Sequence, residues 1–176
     1  MRVTAALLSL LISGAASAAE PWAQRLPAFR LLDPLDRVFT HEQLIARGAV
    51  VVVTAPTHSQ GDAQKAWSLA LHSLPVEDKG PALVMLEDMS QSWFRPIVLS
   101  TMRSSYRPTS RLWLLLDEGG LTRKALGVPE ARTLAFAFGP GGKVMAVETG
   151  EPTPERAKKL LEAARGAPGG PITPAP

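Results

Sequence analysis

The chain has 176 residues, 45% of them hydrophobic and 20% charged, which fits one compact domain with a real core and leaves no room for a second full one. Lys and Arg total 19 against 16 acidic residues, with no basic run interleaved with aromatics, so nucleic acid is not an expected partner. Cysteine is absent, which excludes a thiolate nucleophile, a redox disulfide and a cysteine-based peroxidase centre, and leaves stability to the core.

Met1-Arg2 is a short positive start, Val3 to Ile12 is apolar apart from Thr4 and Ser9, and Ala16-Ser17-Ala18 has the small-residue pattern of a cleavage site. Residues 1–19 therefore read as a signal peptide cut after Ala18 or Ala19, so the chain is expected to be exported, periplasmic or secreted. The apolar stretch is shorter than the ~20 residues that cross a bilayer, and no membrane span is expected after cleavage.

Residues 20–165 are expected to form the single domain. Glu20 to Pro27 reads as an extended lead-in anchored by Trp22 and Leu26, and the turn at Asp33-Pro34-Leu35-Asp36 predicts a short hairpin between Phe29-Leu32 and Val38-Phe39. Thr40 and Gln43 have capping-box spacing for a one-turn helix ending near Gly48. Ala49 to Thr54, with four consecutive valines, is the kind of run that sits inside a sheet covered on both faces.

A polar loop, Pro56 to Gly61, follows; Asp62 is the expected N-cap of a helix whose apolar face is Ala63, Ala66, Trp67, Ala70, Leu71 and Leu74, stopped by Pro75. Ala82-Leu86 is a second buried strand. The next helix is expected to start near Arg95, with Pro96 at its first position, which leaves Trp93-Phe94 in a loop. Leu112-Leu116 is a third strand and Leu121-Leu126 a short helix ended by Gly127. Thr133-Phe138 and Lys143-Glu148 flank Gly139-Pro140-Gly141-Gly142 as a hairpin. Thr153, Pro154 and Glu155 open a last helix with buried face Ala157, Leu160, Leu161 and Ala164. Residues 166–176, rich in Pro and Gly, read as a disordered tail.

This order resembles the thioredoxin-like superfamily, and within it the redoxin branch of thiol-disulfide and peroxiredoxin-related proteins. The matching segments are Pro27-Ala28-Phe29-Arg30-Leu31 with Asp33 and Asp36, Val50 to Ala55, Leu126-Gly127-Val128-Pro129, Phe136 to Val147, and Gly150 through Leu161. The resemblance covers roughly residues 27–165. It implies an α/β fold: a central mixed sheet with helices on both faces and an N-terminal hairpin extension. Where the branch carries its catalytic cysteines this chain reads Pro56-Thr57-His58-Ser59-Gln60-Gly61-Asp62, and where a cis-proline would face that loop it reads Arg132 before Thr133. No catalytic residue carries over.

The expectation is a redox-inactive domain, accessory to envelope protein maturation, that binds a protein, a peptide or a small ligand with Thr57, His58 and Arg132. One alternative is a thiol-independent hydrolase or metal-dependent enzyme using His58; another is a structural interaction module of the envelope. No cofactor or metal is expected: His41, His58 and His72 form no close pair with ligand spacing. Glu87-Asp88 and Asp117-Glu118 read as solvated turn carboxylates.

Overall fold

A computed structural model describes residues 22–54, 58–75, 80–90, 92, 94–107, 112–130 and 132–165, with backbone alone for 58–60. The expected signal peptide, the tail, Thr57 and Trp93 lie outside these. In chain order the elements are β1 (Arg30–Leu32), β2 (Val38–Thr40), α1 (His41–Ile45), β3 (Ala49–Thr54), α2 (His58–His72), β4 (Ala82–Asp88) and α3 (Arg95–Ser105). Then come β5 (Leu112–Asp117), α4 (Leu121–Ala125), β6 (Leu134–Phe138), β7 (Val144–Thr149) and α5 (Pro154–Ala164).

The strands form one seven-stranded sheet in the order β2-β1-β5-β4-β3-β6-β7. β3, β4 and β5 run parallel; β6 runs antiparallel to β3, and β1 to β5, so the sheet is mixed. Every residue of β3 is buried, as its valine run requires. Ala49, Val51 and Val53 pack into one cluster with Phe39, Leu44, Trp113, Leu126, Phe136 and Phe138. Val50 and Val52 face the other, where α2 supplies Trp67, Leu71 and Leu74 and α5 supplies Ala157, Leu160, Leu161 and Ala164. Each fully buried Val, Leu or Phe among them contributes roughly 1.5–3 kcal/mol by leaving water.

The hairpin pairs Leu31 with Phe39. Gln43 accepts the Thr40 backbone N–H at 2.7 Å, so α1 opens as expected, but it ends at Ile45 rather than near Gly48. Gly48 is irreplaceable for another reason: φ is +81°, and a Cβ there would run into the Ala164 carbonyl oxygen at the end of α5. The lead-in is anchored as expected, with Leu26 buried and its N–H donating to the Gly142 carbonyl at 2.7 Å. The Thr153 side chain caps α5 by accepting the Arg156 N–H at 3.2 Å.

Two elements depart from expectation at the same end of the sheet. β4 continues past its apolar run to Asp88. α2 begins at His58, so Asp62 is an exposed residue within the helix and not its cap. Nothing in His58-Ser59-Gln60-Gly61 blocks a helix; Gly61 costs ~1 kcal/mol relative to Ala. Burial of the Trp67 and Leu71 face outweighs that penalty and the local preference of Asp62 for a cap.

Candidate functional site at the carboxyl end of the central strands

Because β3, β4 and β5 are parallel, their carboxyl ends lie together, and antiparallel β6 begins beside them. Open α/β sheets place their ligand sites at this end. Thr54 closes β3, its hydroxyl donating to the Leu86 carbonyl at 3.4 Å. Val53 stands opposite Leu134, so the chain enters β6 through Arg132 and buried Thr133 alongside the end of β3. Arg132 is exposed, and its backbone N–H donates to the Pro129 carbonyl at 3.3 Å.

His58 is the first residue of α2 and not a loop residue, a correction that follows from the earlier helix start. The topology brings the backbone of His58 and Arg132 to the same end of the sheet, whereas His41 lies in α1 and His72 at the far end of α2. Among the described residues no group of three or more His, Asp or Glu side chains is arranged to hold a metal ion.

The carboxylates are the second correction. Asp88 and Asp117 are not solvated: they are 1% and 2% exposed. Between them lies Arg123 of α4, itself 3% exposed, with Nε paired to Asp88 Oδ2 and Nη1 donating to the Val128 carbonyl at 2.5 Å. Asp117 accepts the backbone N–H groups of Leu121 at 3.0 Å and Arg123 at 2.8 Å, and so caps α4. Gly120 is required beside them: φ is +64°, and a Cβ would come within 2.8 Å of both Asp88 oxygens.

Burial pushes the Asp88 carboxyl up, but hydrogen bonds from Ser90 and the Arg123 guanidinium outweigh it and hold the group below its ordinary range. For Asp117 burial wins, reinforced by the charge of Asp88, and its carboxyl is raised despite the N–H groups it accepts. Glu87, one residue earlier, points to the other face, where burial raises it and Gln64 Nε2, donating at 2.9 Å, partly offsets this.

An apolar edge lies at this same end. Phe94 is 69% exposed, Ile97 65% and Leu121 73%, the first two where α3 starts and the third where α4 starts. An ion pair between Arg95 and Glu118 ties these two segments together. The late start of α3, with Pro96 in its first turn, leaves Phe94 outside the helix as expected.

No protein-family model matches the chain, and no curated protein matches its sequence. Solved structures do. The exposed lipoprotein thioredoxin Etrx1 of Streptococcus pneumoniae strain TIGR4 superposes with a TM-score of 0.60 at 9% identity, covering 77% of this chain and 98% of that one. A thio-disulfide isomerase from Thermus thermophilus gives 0.57 at 23% identity, covering 84% and 99%. StoA of Bacillus subtilis gives 0.58 at 12%, covering 78% and 98%. Identities this low establish architecture: the chain has a thioredoxin-like fold, similar to thiol-disulfide proteins. It carries that fold without a cysteine. Among the described residues no helix is long and apolar enough to cross a membrane.

Proposed function

We propose that this chain is a redox-inactive thioredoxin-like domain of the cell envelope that binds an extended peptide or protein segment at the carboxyl edge of its sheet. The observation that carries the reading is the pairing of a cysteine-free sequence with three large exposed side chains, Phe94, Ile97 and Leu121, at that edge. A folded domain that cannot exchange disulfides, yet leaves such side chains in water where its fold places chemistry, has a use for them in contact. On the β3 side we assign Thr57, His58 and Arg132 to the same binding role on the strength of the sequence; of these Arg132 is exposed, and its guanidinium would meet an acidic group on the bound segment. The leader-like residues 1–19 and the description of Etrx1 as an exposed lipoprotein support an envelope location. An accessory role in protein maturation follows if the bound segment belongs to a thiol oxidoreductase or its substrate.

The test is selection of extended peptides from a displayed library, followed by affinity measurement. Replacing Phe94, Ile97 and Leu121 together by Ser is expected to weaken an enriched peptide at least about tenfold, and Arg132→Ala to weaken acidic peptides selectively, with unfolding midpoints unchanged. Equal affinities for the parent and these variants would refute the edge. Amino-terminal sequencing of the protein from an envelope fraction should begin at Ala19 or Glu20.

A further inference from the structure

α3 is attached to the rest of the molecule by polar links rather than by a buried face, and none of its residues is buried. Arg103 Nε donates to the Pro34 carbonyl at 2.9 Å, and its Nη2 contacts both Asp36 carboxylate oxygens at 2.8 Å. Just past the helix, the Tyr106 hydroxyl accepts the Leu114 N–H at 3.4 Å. At the other end Arg95 pairs with Glu118. Held in this way, the helix leaves open a groove of about 430 Å³ between itself and α2, over β4 and β5. That volume lies in the range of small-molecule sites, about 300–1,000 Å³, and is too small for a folded partner.

The floor of the groove is apolar, formed by Met85, Leu112 and Leu114. Its α2 wall runs from Gly61 to His72, roughly 16 Å at the rise of a helix. One floor residue breaks the apolar pattern: Glu87, at the Gly61 end, whose carboxylate meets a single hydrogen-bond donor among the described residues, Gln64. A carboxylate takes more donors than one, and a groove of this polarity supplies few. The wall at this end is not crowded, because a Cβ on Gly61 would meet no atom within 4 Å.

The charges around the groove separate by depth. Lys65 and Arg107 are exposed at its rim, and Arg107 Nη1 already donates to the carbonyls of Ser104 and Tyr106 at 2.9 and 3.0 Å. His72, also exposed, has Nδ1 3.0 Å from the Ser68 carbonyl. The half-buried acceptor is Glu87, and the complementary ligand is therefore a cation with an apolar body.

We propose that the groove between α2 and α3 is a binding site for a small amphiphilic amine, its ammonium group donating to Glu87 and its apolar body lying on Met85, Leu112 and Leu114. Desolvation of the carboxyl is in keeping with this, since a bound cation restores the stabilisation that water no longer provides. The site does not rest on the peptide-binding edge, and either can fail without the other.

The experiment titrates the full chain with hexylamine, hexanol and hexanoate by calorimetry near neutral pH, and maps the methionine methyl signals by NMR. Hexylamine is expected to bind at least about tenfold more tightly than either matched ligand and to shift the Met85 and Met102 methyls. Glu87→Gln, which preserves shape and the Gln64 contact, is expected to abolish the preference for the amine and leave hexanol affinity unchanged. Ser68→Trp, which fills the groove from the α2 wall, should remove both. Equal binding of the three ligands, a preference that survives Glu87→Gln, shifts confined to other methyls, or no binding at millimolar concentration would overturn the proposal.

Discussion

Arg123 is the residue on which the carboxyl end of the sheet depends most directly. Its buried guanidinium pairs with Asp88 and reaches Glu130 at 3.4 Å, while its backbone N–H donates to Asp117. Removing one partner of such a group leaves uncompensated charge in a buried site, so Arg123→Ala is expected to cost about 3–5 kcal/mol in urea unfolding, with Arg123→Lys intermediate. The pH dependence has a definite sign. Asp88 is held below its ordinary value of 3.8 in the folded state, so its stabilising contribution is present above that value and is lost as pH falls through the lower folded one. Asp117 is raised, takes up a proton earlier on folding, and opposes this as the pH drops. The deficit of Arg123→Ala is therefore expected to be largest near neutrality and to shrink in acid, as the orphaned Asp88 carboxylate becomes neutral. A deficit independent of pH would mean that the loss comes from packing alone. None of this could be read from the sequence, because Asp88 and Arg123 are 35 positions apart and two acidic residues after an apolar run look like a solvated turn until the partner is placed.

At the scale of elements, legibility followed the strength of the local signal. The valine run of β3, the apolar runs of β4 and β5 and the Thr-Pro opening of α5 are each a single-strand or single-helix pattern complete within a few residues, and each became the expected element. Pro96 likewise marked the start of α3 through its missing N–H. The start of α2 was misread because Asp62 is a good cap locally, whereas the actual start is settled by how much of the helix the sheet and α5 cover. The same correction yields a prediction. Gly61 is helical, its φ is not positive, and a Cβ there meets nothing within 4 Å. Gly61→Ala should therefore stabilise the protein by about 0.5–1 kcal/mol, through lost freedom of the unfolded chain rather than any new contact. Destabilisation instead, measured by urea midpoint, would show that the first turn of α2 is not helical in solution.

For the molecule as a whole, the fold was legible because it is set by order: hairpin, buried strand, helix, two more parallel strands, hairpin, helix. The groove between α2 and α3 was not, since it depends on tethers such as Arg103 to Asp36, 67 positions apart. What the whole molecule lacks is as consequential as what it contains. The structurally similar proteins are named for thiol-disulfide chemistry, which has no cysteine to act through in this chain, while the scaffold is held by a core packed on both faces of β3. Stability and redox state are thus uncoupled. Thermal unfolding should be one transition whose midpoint is the same with and without dithiothreitol, and the protein should leave the rate of insulin disulfide reduction at its uncatalysed level. A midpoint that moved with reductant would require a redox-active group bound to the chain, and would replace the proposed binding domain with a carrier of borrowed chemistry.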